Sequence, residues 1–155
     1  MWIAFVGGGH MTTSLIGGLR ARGVAGEDLR VSDPVAAQRA RLHREFAVQA
    51  TPDNAAAVRD ADLVVLAVKP QDMAAAAQSI AGELARRTRI VVSIAAGIRI
   101  ADLRRWLGDG TPVVRTMPNR PALIGAGITA ACAGPGIGDA DRGASPPQGH
   151  GQQRR

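Results

Sequence analysis

Tyrosine is absent from this 155-residue sequence, and two Phe and two Trp are its only aromatic side chains. Without clustered aromatics there is no platform on which nucleobases would stack, so a formal charge of +6 does not by itself indicate a nucleic-acid surface. The arginines are spread over expected helices (Arg20, Arg22, Arg39, Arg41, Arg44, Arg86, Arg87, Arg104, Arg105) and read as solvated faces. Cysteine occurs once, at Cys132, which excludes an intrachain disulfide, suits a reducing compartment and reads as a small buried thiol. No apolar run nears the roughly 20 residues of a membrane span. The opening Met1-Trp2-Ile3-Ala4-Phe5-Val6 carries no basic residue ahead of its apolar stretch and does not read as a signal peptide. His and Cys show no metal-ligand spacing, so no metal is expected. These absences lead to the expectation of a soluble cytoplasmic protein without nucleic-acid or membrane partners.

What is present is a regular alternation of short apolar runs and helical patterns. Strands are expected at Trp2–Val6, Leu29–Ser32, Val48–Ala50, Leu63–Val68, Ile90–Ile94, Val113–Thr116 and Ile128–Cys132. Helices are expected at His10–Arg22, Ala36–Phe46, Ala55–Arg59, Gln71–Arg86 and Ile100–Leu107, with Gly23 and Gly108 as stops. Leu63-Val64-Val65-Leu66-Ala67-Val68 is apolar at every position, as in a strand covered on both faces, hence a parallel sheet. The fold class is α/β, a doubly wound, mostly parallel sheet with helices on both faces. From Gly134 onward only Ile137 is a large apolar residue, so residues 134–155 read as a disordered Gly/Pro-rich tail behind a domain of residues 1–133.

Gly7-Gly8-Gly9-His10-Met11-Thr12 falls where the first strand gives way to the first helix. Gly7 suits a tight turn, and Gly9 lets backbone N–H groups approach a pyrophosphate. Thr12 stands where the third glycine of a dinucleotide fingerprint belongs, so ordinary turn glycines remain the alternative. Asp33 closes the second strand 24 residues after Gly9, where a carboxylate binds ribose hydroxyls; beside Pro34 it reads equally as a helix entry. Lys69 is the only lysine among nineteen basic residues. A sequence that otherwise uses arginine places this compact ammonium just after a buried strand, which suggests a site, a strand-end charge being the alternative.

Further motifs follow in sequence: Gly7-x-Gly9-x-Met11, Ser14-Leu15-Ile16-Gly17-Gly18-Leu19, Val31-Ser32-Asp33, Asp53-Asn54-Ala55, Ala67-Val68-Lys69-Pro70, Ser93-Ile94-Ala95-Ala96-Gly97 and Met117-Pro118-Asn119-x-Pro121. In this order they resemble pyrroline-5-carboxylate reductases, from Met1 to about Ala133. The resemblance implies a Rossmann-type domain that binds NADP or NAD in its reduced form and passes a hydride to 1-pyrroline-5-carboxylate, giving proline. It implies that Val6, Gly7, Gly8, Gly9, His10 and Met11 wrap the pyrophosphate, with Ser32 and Asp33 at the ribose and Asn54 on the adenosine side. Ala67, Val68, Lys69 and Pro70, with Ile94, Ala95 and Ala96, then line the route to the nicotinamide. Catalytic residues are not legible beyond Asn119, a candidate near the nicotinamide that reads equally as a turn residue. His10 replaces the family's usual Asn or Gln, a phosphate donor or a solvated histidine, and Arg120 stands where a small residue is usual. Asp33 disfavours a 2′-phosphate while Arg39 or Arg41 offsets it, so NADH is expected at least as readily as NADPH.

The resemblance also implies a helical domain that holds the substrate carboxylate and builds a homo-oligomer, and nothing after Ala133 matches it. The expectation is therefore a truncated, impaired reductase, as from a reading frame lost near Arg142, with a non-catalytic dinucleotide-binding module as the alternative.

Overall fold

The structure, a computed structural model, describes residues 1–117 and 130–133. Asn119, Arg120 and the tail of residues 134–155 lie outside the described residues. Five strands alternate with helices: β1 (Ile3–Val6), α1 (His10–Ala21), β2 (Leu29–Ser32), α2 (Ala36–Phe46), β3 (Gln49–Thr51), α3 (Asn54–Val58), β4 (Leu63–Leu66), α4 (Met73–Arg86), β5 (Ile90–Ser93) and α5 (Ile100–Leu107). Then come β6 (Val113–Met117) and β7 (Ala130–Ala133). The strands form one sheet in the order β3-β2-β1-β4-β5-β6-β7. The first six are parallel, and β7 adds antiparallel to β6.

The uniformly apolar strands are explained by two cores. The period of two along β1 sends Ala4 and Val6 to one face, where they join Leu66, Val91, Ile80 and Leu103 beneath α3, α4 and α5. Ile3 and Phe5 point the other way, to Ile16, Val31 and Leu42 under α1 and α2. Both faces of β1 are thus covered, and no polar position is needed in it.

Local chemistry sets the ends of the elements. Gly23, at φ 93°, closes α1: its N–H donates to the Arg20 carbonyl and that of Val24 to the Leu19 carbonyl, a Schellman arrangement. Asp53 caps α3, its Oδ1 accepting from the N–H groups of Ala55 at 2.9 Å and Ala56 at 3.3 Å. That cap starts the helix at Asn54, one residue before the sequence pattern indicates. β3 is shifted by one residue, since its ladder pairs Arg30 with Gln49 and Ser32 with Thr51.

The apolar run at Leu63–Val68 is strand only as far as Leu66. Ala67 still donates to the Val6 carbonyl at 2.8 Å, but the chain then turns through Lys69 into a 3-10 turn at Pro70–Asp72. Proline fixes this turn, having no N–H for a ladder and an N-terminal preference in helical turns, so α4 begins at Met73 instead of Gln71.

The amino ends of the strands are tied by charge. The Trp2 N–H donates to Asp62 Oδ2 at 2.8 Å, and Arg87 pairs with Asp62 Oδ1 at 2.8 Å. The Trp2 N–H, and after it the Arg87 guanidinium, hold the Asp62 carboxyl below its usual range. Among the described residues no helix is long and apolar enough to cross a membrane.

Removing the α3 cap by Asp53→Ala is expected to cost about 0.5–2 kcal/mol of stability. Urea unfolding checks this, and an unchanged midpoint would mean that the cap contributes nothing.

Candidate functional site

The strand order changes direction beside β1: β2 lies on one flank and β4 on the other, and β1 and β4 lead into helices, α1 and α4, that cover opposite faces of the sheet. Open sheets of this kind take ligands in the crevice at the carboxyl ends of these strands. The crevice here is a cleft of ≈ 520 Å³. From the residues singled out in the sequence it gathers Gly7, Gly8, Gly9, Ser32, Asp33, Asn54, Ala67, Val68 and Lys69. Val6, Met11, Pro70, Ile94, Ala95 and Ala96 do not line it. Val6 is the buried end of β1, and Pro70 opens the turn before α4. Ile94 follows β5, donating its N–H to the Leu66 carbonyl at 3.2 Å, and leads into buried Ala95 and exposed Ala96.

The glycine turn is built by close approach. Gly7 has φ +102°, and a Cβ there would lie 2.7 Å from the Ala67 carbonyl oxygen. Its N–H donates to the Ser32 carbonyl at 2.8 Å. Thr12, read in the sequence as a weakening of the fingerprint, is fully buried, and its hydroxyl donates to the Gly7 carbonyl at 2.6 Å. The hydroxyl closes the turn on itself. Gly9 differs from Gly7: it precedes α1 with extended backbone, and a Cβ there would meet nothing within 4 Å. The open side of the turn is therefore at Gly9, where the first N–H groups of α1 have no intrahelical partner.

The Asp33 carboxylate accepts backbone N–H groups on both of its oxygens. Its Oδ1 accepts from the Val35 N–H at 2.8 Å, a turn contact at the entry to α2, although the residue preceding that helix is Val35. Its Oδ2 accepts from the Gly8 N–H at 2.9 Å and so reaches into the glycine turn. Gln38 on α2 donates to the Gly8 carbonyl, so the Gly8 residue is held at its N–H by β2 and at its carbonyl by α2. Asp33 nonetheless lines the cleft, where each carboxylate oxygen keeps acceptor capacity.

Lys69 is exposed at the mouth of the cleft, and among the described residues it forms no ion pair. Asn54, the first residue of α3, donates through Nδ2 to Ser79 Oγ at 3.0 Å. The sequence reading missed Val35, Asp72, Ala75 and Ala76, which also line the cleft. Val35 is 56% exposed, which is unusual for valine beside a cleft, and the small side chains of α4 leave the space open. The run of alanines was legible as a helix, but its facing a cleft was not. His10 is exposed and lines a second, adjoining cleft.

Fold and cleft define a Rossmann-type α/β domain with its ligand crevice at the β1/β4 switch point. The family model described as NADP oxidoreductase, coenzyme F420-dependent, matches residues 2–97, and the chain belongs to that family. A pyrroline-5-carboxylate reductase of Pseudomonas aeruginosa is 54% identical over 127 residues, covering 82% of this chain and 46% of its own length. The Vibrio alginolyticus protein of the same name is 37% identical over 127 residues, with the same coverage. Among solved structures, a pyrroline-5-carboxylate reductase from Coxiella burnetii superposes with a TM-score of 0.86 at 30% identity, over 91% of this chain and 52% of that one. The Plasmodium falciparum pyrroline carboxylate reductase with NADP bound shares the fold, with a TM-score of 0.80 at 24% identity over 92% of this chain and 52% of that one. The resemblance read from the motifs is borne out, and the chain spans about half the length of the curated relatives it matches, their N-terminal part.

The two glycines should separate under one substitution. Gly7→Ala, strained in φ and against a backbone carbonyl, is expected to cost about 1–3 kcal/mol, whereas Gly9→Ala, at the N-cap of α1 but in open space, should cost less, about 1 kcal/mol or under. Denaturant unfolding of both variants gives the comparison, and equal stabilities would contradict it.

Proposed function

We propose that this chain is the dinucleotide-binding half of a pyrroline-5-carboxylate reductase. The observation that carries the reading is the meeting of the glycine turn, Asp33, Asn54 and Lys69 on one cleft at the switch point. The open side of Gly9 fits the requirement of a pyrophosphate, since nothing stands where its Cβ would be. The relatives' name supplies the substrate class.

In this reading Gly9, His10 and Met11 present backbone N–H groups to the phosphates. Gly7 and Gly8 shape the turn behind them, between Val6 and α1. Asp33, seated after Ser32, accepts from ribose hydroxyls through its remaining lone pairs, and Asn54 faces the adenosine. Ala67, Val68 and Pro70 with Ile94, Ala95 and Ala96 carry the path toward the nicotinamide end, and Lys69 places a positive charge along it. A bound reduced nicotinamide dinucleotide supplies the hydride that, added at the C=N carbon of 1-pyrroline-5-carboxylate, gives proline. The substrate carboxylate and the homo-oligomer belong, by resemblance, to the other half of the relatives' length, and a cytoplasmic location goes with the biosynthetic role.

Aligning two reactants is worth roughly 7–11 kcal/mol of barrier, and these residues fix one of them. The 155-residue chain should therefore bind NADH or NADPH yet form proline slowly, and fusion to the remaining half of a relative should raise turnover roughly a hundredfold or more. Calorimetry and a proline assay on the same samples provide the test. Absence of dinucleotide binding would end the proposal, and binding without turnover even in the fusion would favour a non-catalytic module. Gly9→Asp, which puts a carboxylate on the open side, should abolish binding.

A further inference from the structure

Among the described helices α3 is the shortest, five residues at Asn54–Val58. A helix of that length, about 7 Å, is not stable by propensity and takes its place from what holds its two ends. Its amino end carries the Asp53 cap and, at Asn54, reaches the dinucleotide cleft. Its carboxyl end is held by arginine from two strands. Arg89, the residue before β5, donates through Nη1 to the Val58 carbonyl at 2.9 Å, and Arg30 of β2 donates through Nη1 to the Arg59 carbonyl at 2.8 Å. We propose that Arg89, with Arg30 in support, is a positioning residue for the dinucleotide: it fixes the seat of α3 and thereby sets Asn54 against the cleft. The inference rests on the dinucleotide reading of that cleft, and it places a determinant of affinity at the other end of the strands.

Arg89 is an unusual group for its surroundings. It is 6% exposed, among the described residues it forms no ion pair, and its Nε is buried without a hydrogen-bond partner. Burying a guanidinium in this way costs free energy that an apolar side chain in the same place would not. What offsets the cost is a charge-assisted bond at the negative end of a helix, to a carbonyl that also accepts the Ala61 N–H at 3.1 Å. Arg30 is anchored in turn by an aromatic face. Its guanidinium lies 4.2 Å from the centroid of the Trp2 ring, and the Trp2 N–H is itself tied to Asp62. The turn that leaves α3 is therefore gripped from β2, from β5 and from the residue that opens into β1.

The two ends of α3 are held in different ways. The Asp53 cap bonds only to the helix's own N–H groups, so it stiffens the first turn without locating it. The arginines refer the helix to the sheet that carries Asp33 and the strand end at Ala67. Asn54 then meets α4, its Nδ2 donating to Ser79 Oγ at 3.0 Å, while Ser79 donates to the carbonyl of Ala76, which lines the cleft. A helix of about one and a half turns has no inner joint. A slide of its carboxyl end consequently carries Asn54 by a similar distance.

Calorimetric titration of NADH into the full 155-residue chain tests the inference as a double-mutant cycle. Asn54→Ala should weaken binding roughly two- to tenfold, the scale of one hydrogen bond. Arg89→Met, which fills the space without the donor, should weaken it by a similar or smaller factor. Because Arg89 acts through Asn54, the double variant should bind no more weakly than Asn54→Ala alone. Arg89→Lys, which keeps a charged donor, should recover part of the loss. A merely structural role would loosen the whole domain, and the two losses would then multiply. Multiplied losses, or NADH bound by either single variant as tightly as by the parent, would overturn the inference. Should Arg89→Met not fold, Arg30→Met, at a half-buried position, runs the same cycle with the same readings. Failure of the parent to bind NADH would remove the dinucleotide reading and this one with it, whereas binding by the parent with multiplied losses removes this one alone.

Discussion

The approach of the chain leaving β1 to the chain leaving β4 is the contact on which the carboxyl edge depends. At Gly7 the two backbones come so near that a Cβ would sit 2.7 Å from the Ala67 carbonyl oxygen. Only a residue without a side chain, at φ +102°, lets β1 turn there and enter α1. The consequence reaches outward: α1 starts at the crevice, its first N–H groups point along it, and Gly9 leaves their approach open. If this turn were wider, the helix start would withdraw from β4 and the glycines, Asp33 and Lys69 would no longer share one space.

Side chains then fix what the glycines allow. The Thr12 hydroxyl closes on the Gly7 carbonyl, and Asp33 and Gln38 hold Gly8 from its two sides. Each is a polar group matched to a backbone group within a partly or fully buried turn, where an unmatched group would be costly. A loop of three glycines is floppy by composition, and these bonds restrict it. The same contacts give Asp33 a structural role: it supports the turn and borders both clefts. One carboxylate thus connects the order of the loop with whatever lies in the clefts.

Much of this was legible in the sequence because the alternation of periods is strong. β2, α2 and α5 occupy the expected residues, since the apolar spacing coincides with the packing and Gly108 ends α5. Where β4 ends was not legible: Leu63–Val68 is apolar throughout, and hydropathy does not register that pairing with β1 stops at the Ala67 N–H and that Ala67 and Val68 border the cleft. The glycine motif and Asp33 pointed to the carboxyl edge of the sheet, where they line one cleft. Thr12 was read as a defect because a fingerprint records residue types, not the bond that a hydroxyl makes to the carbonyl five residues earlier. Gln38, Arg41 and Val35 lie on or beside a helix whose pattern says only which face is apolar, so their meeting at a cleft emerges from the α1–α2 packing. His10, a departure from the family, stood out by type, but its neighbours did not.

The carboxyl edge of β1 and β4 as the dinucleotide site is tested most directly by titrating NADH into 15N-labelled protein and following each backbone amide. Binding as described should move the amides of Gly9, His10 and Met11 most, with Asn54 and Val68 following, and should move those near Asp62 and Arg87 at the amino ends least. Unchanged spectra, or shifts gathered at those amino ends, would contradict it.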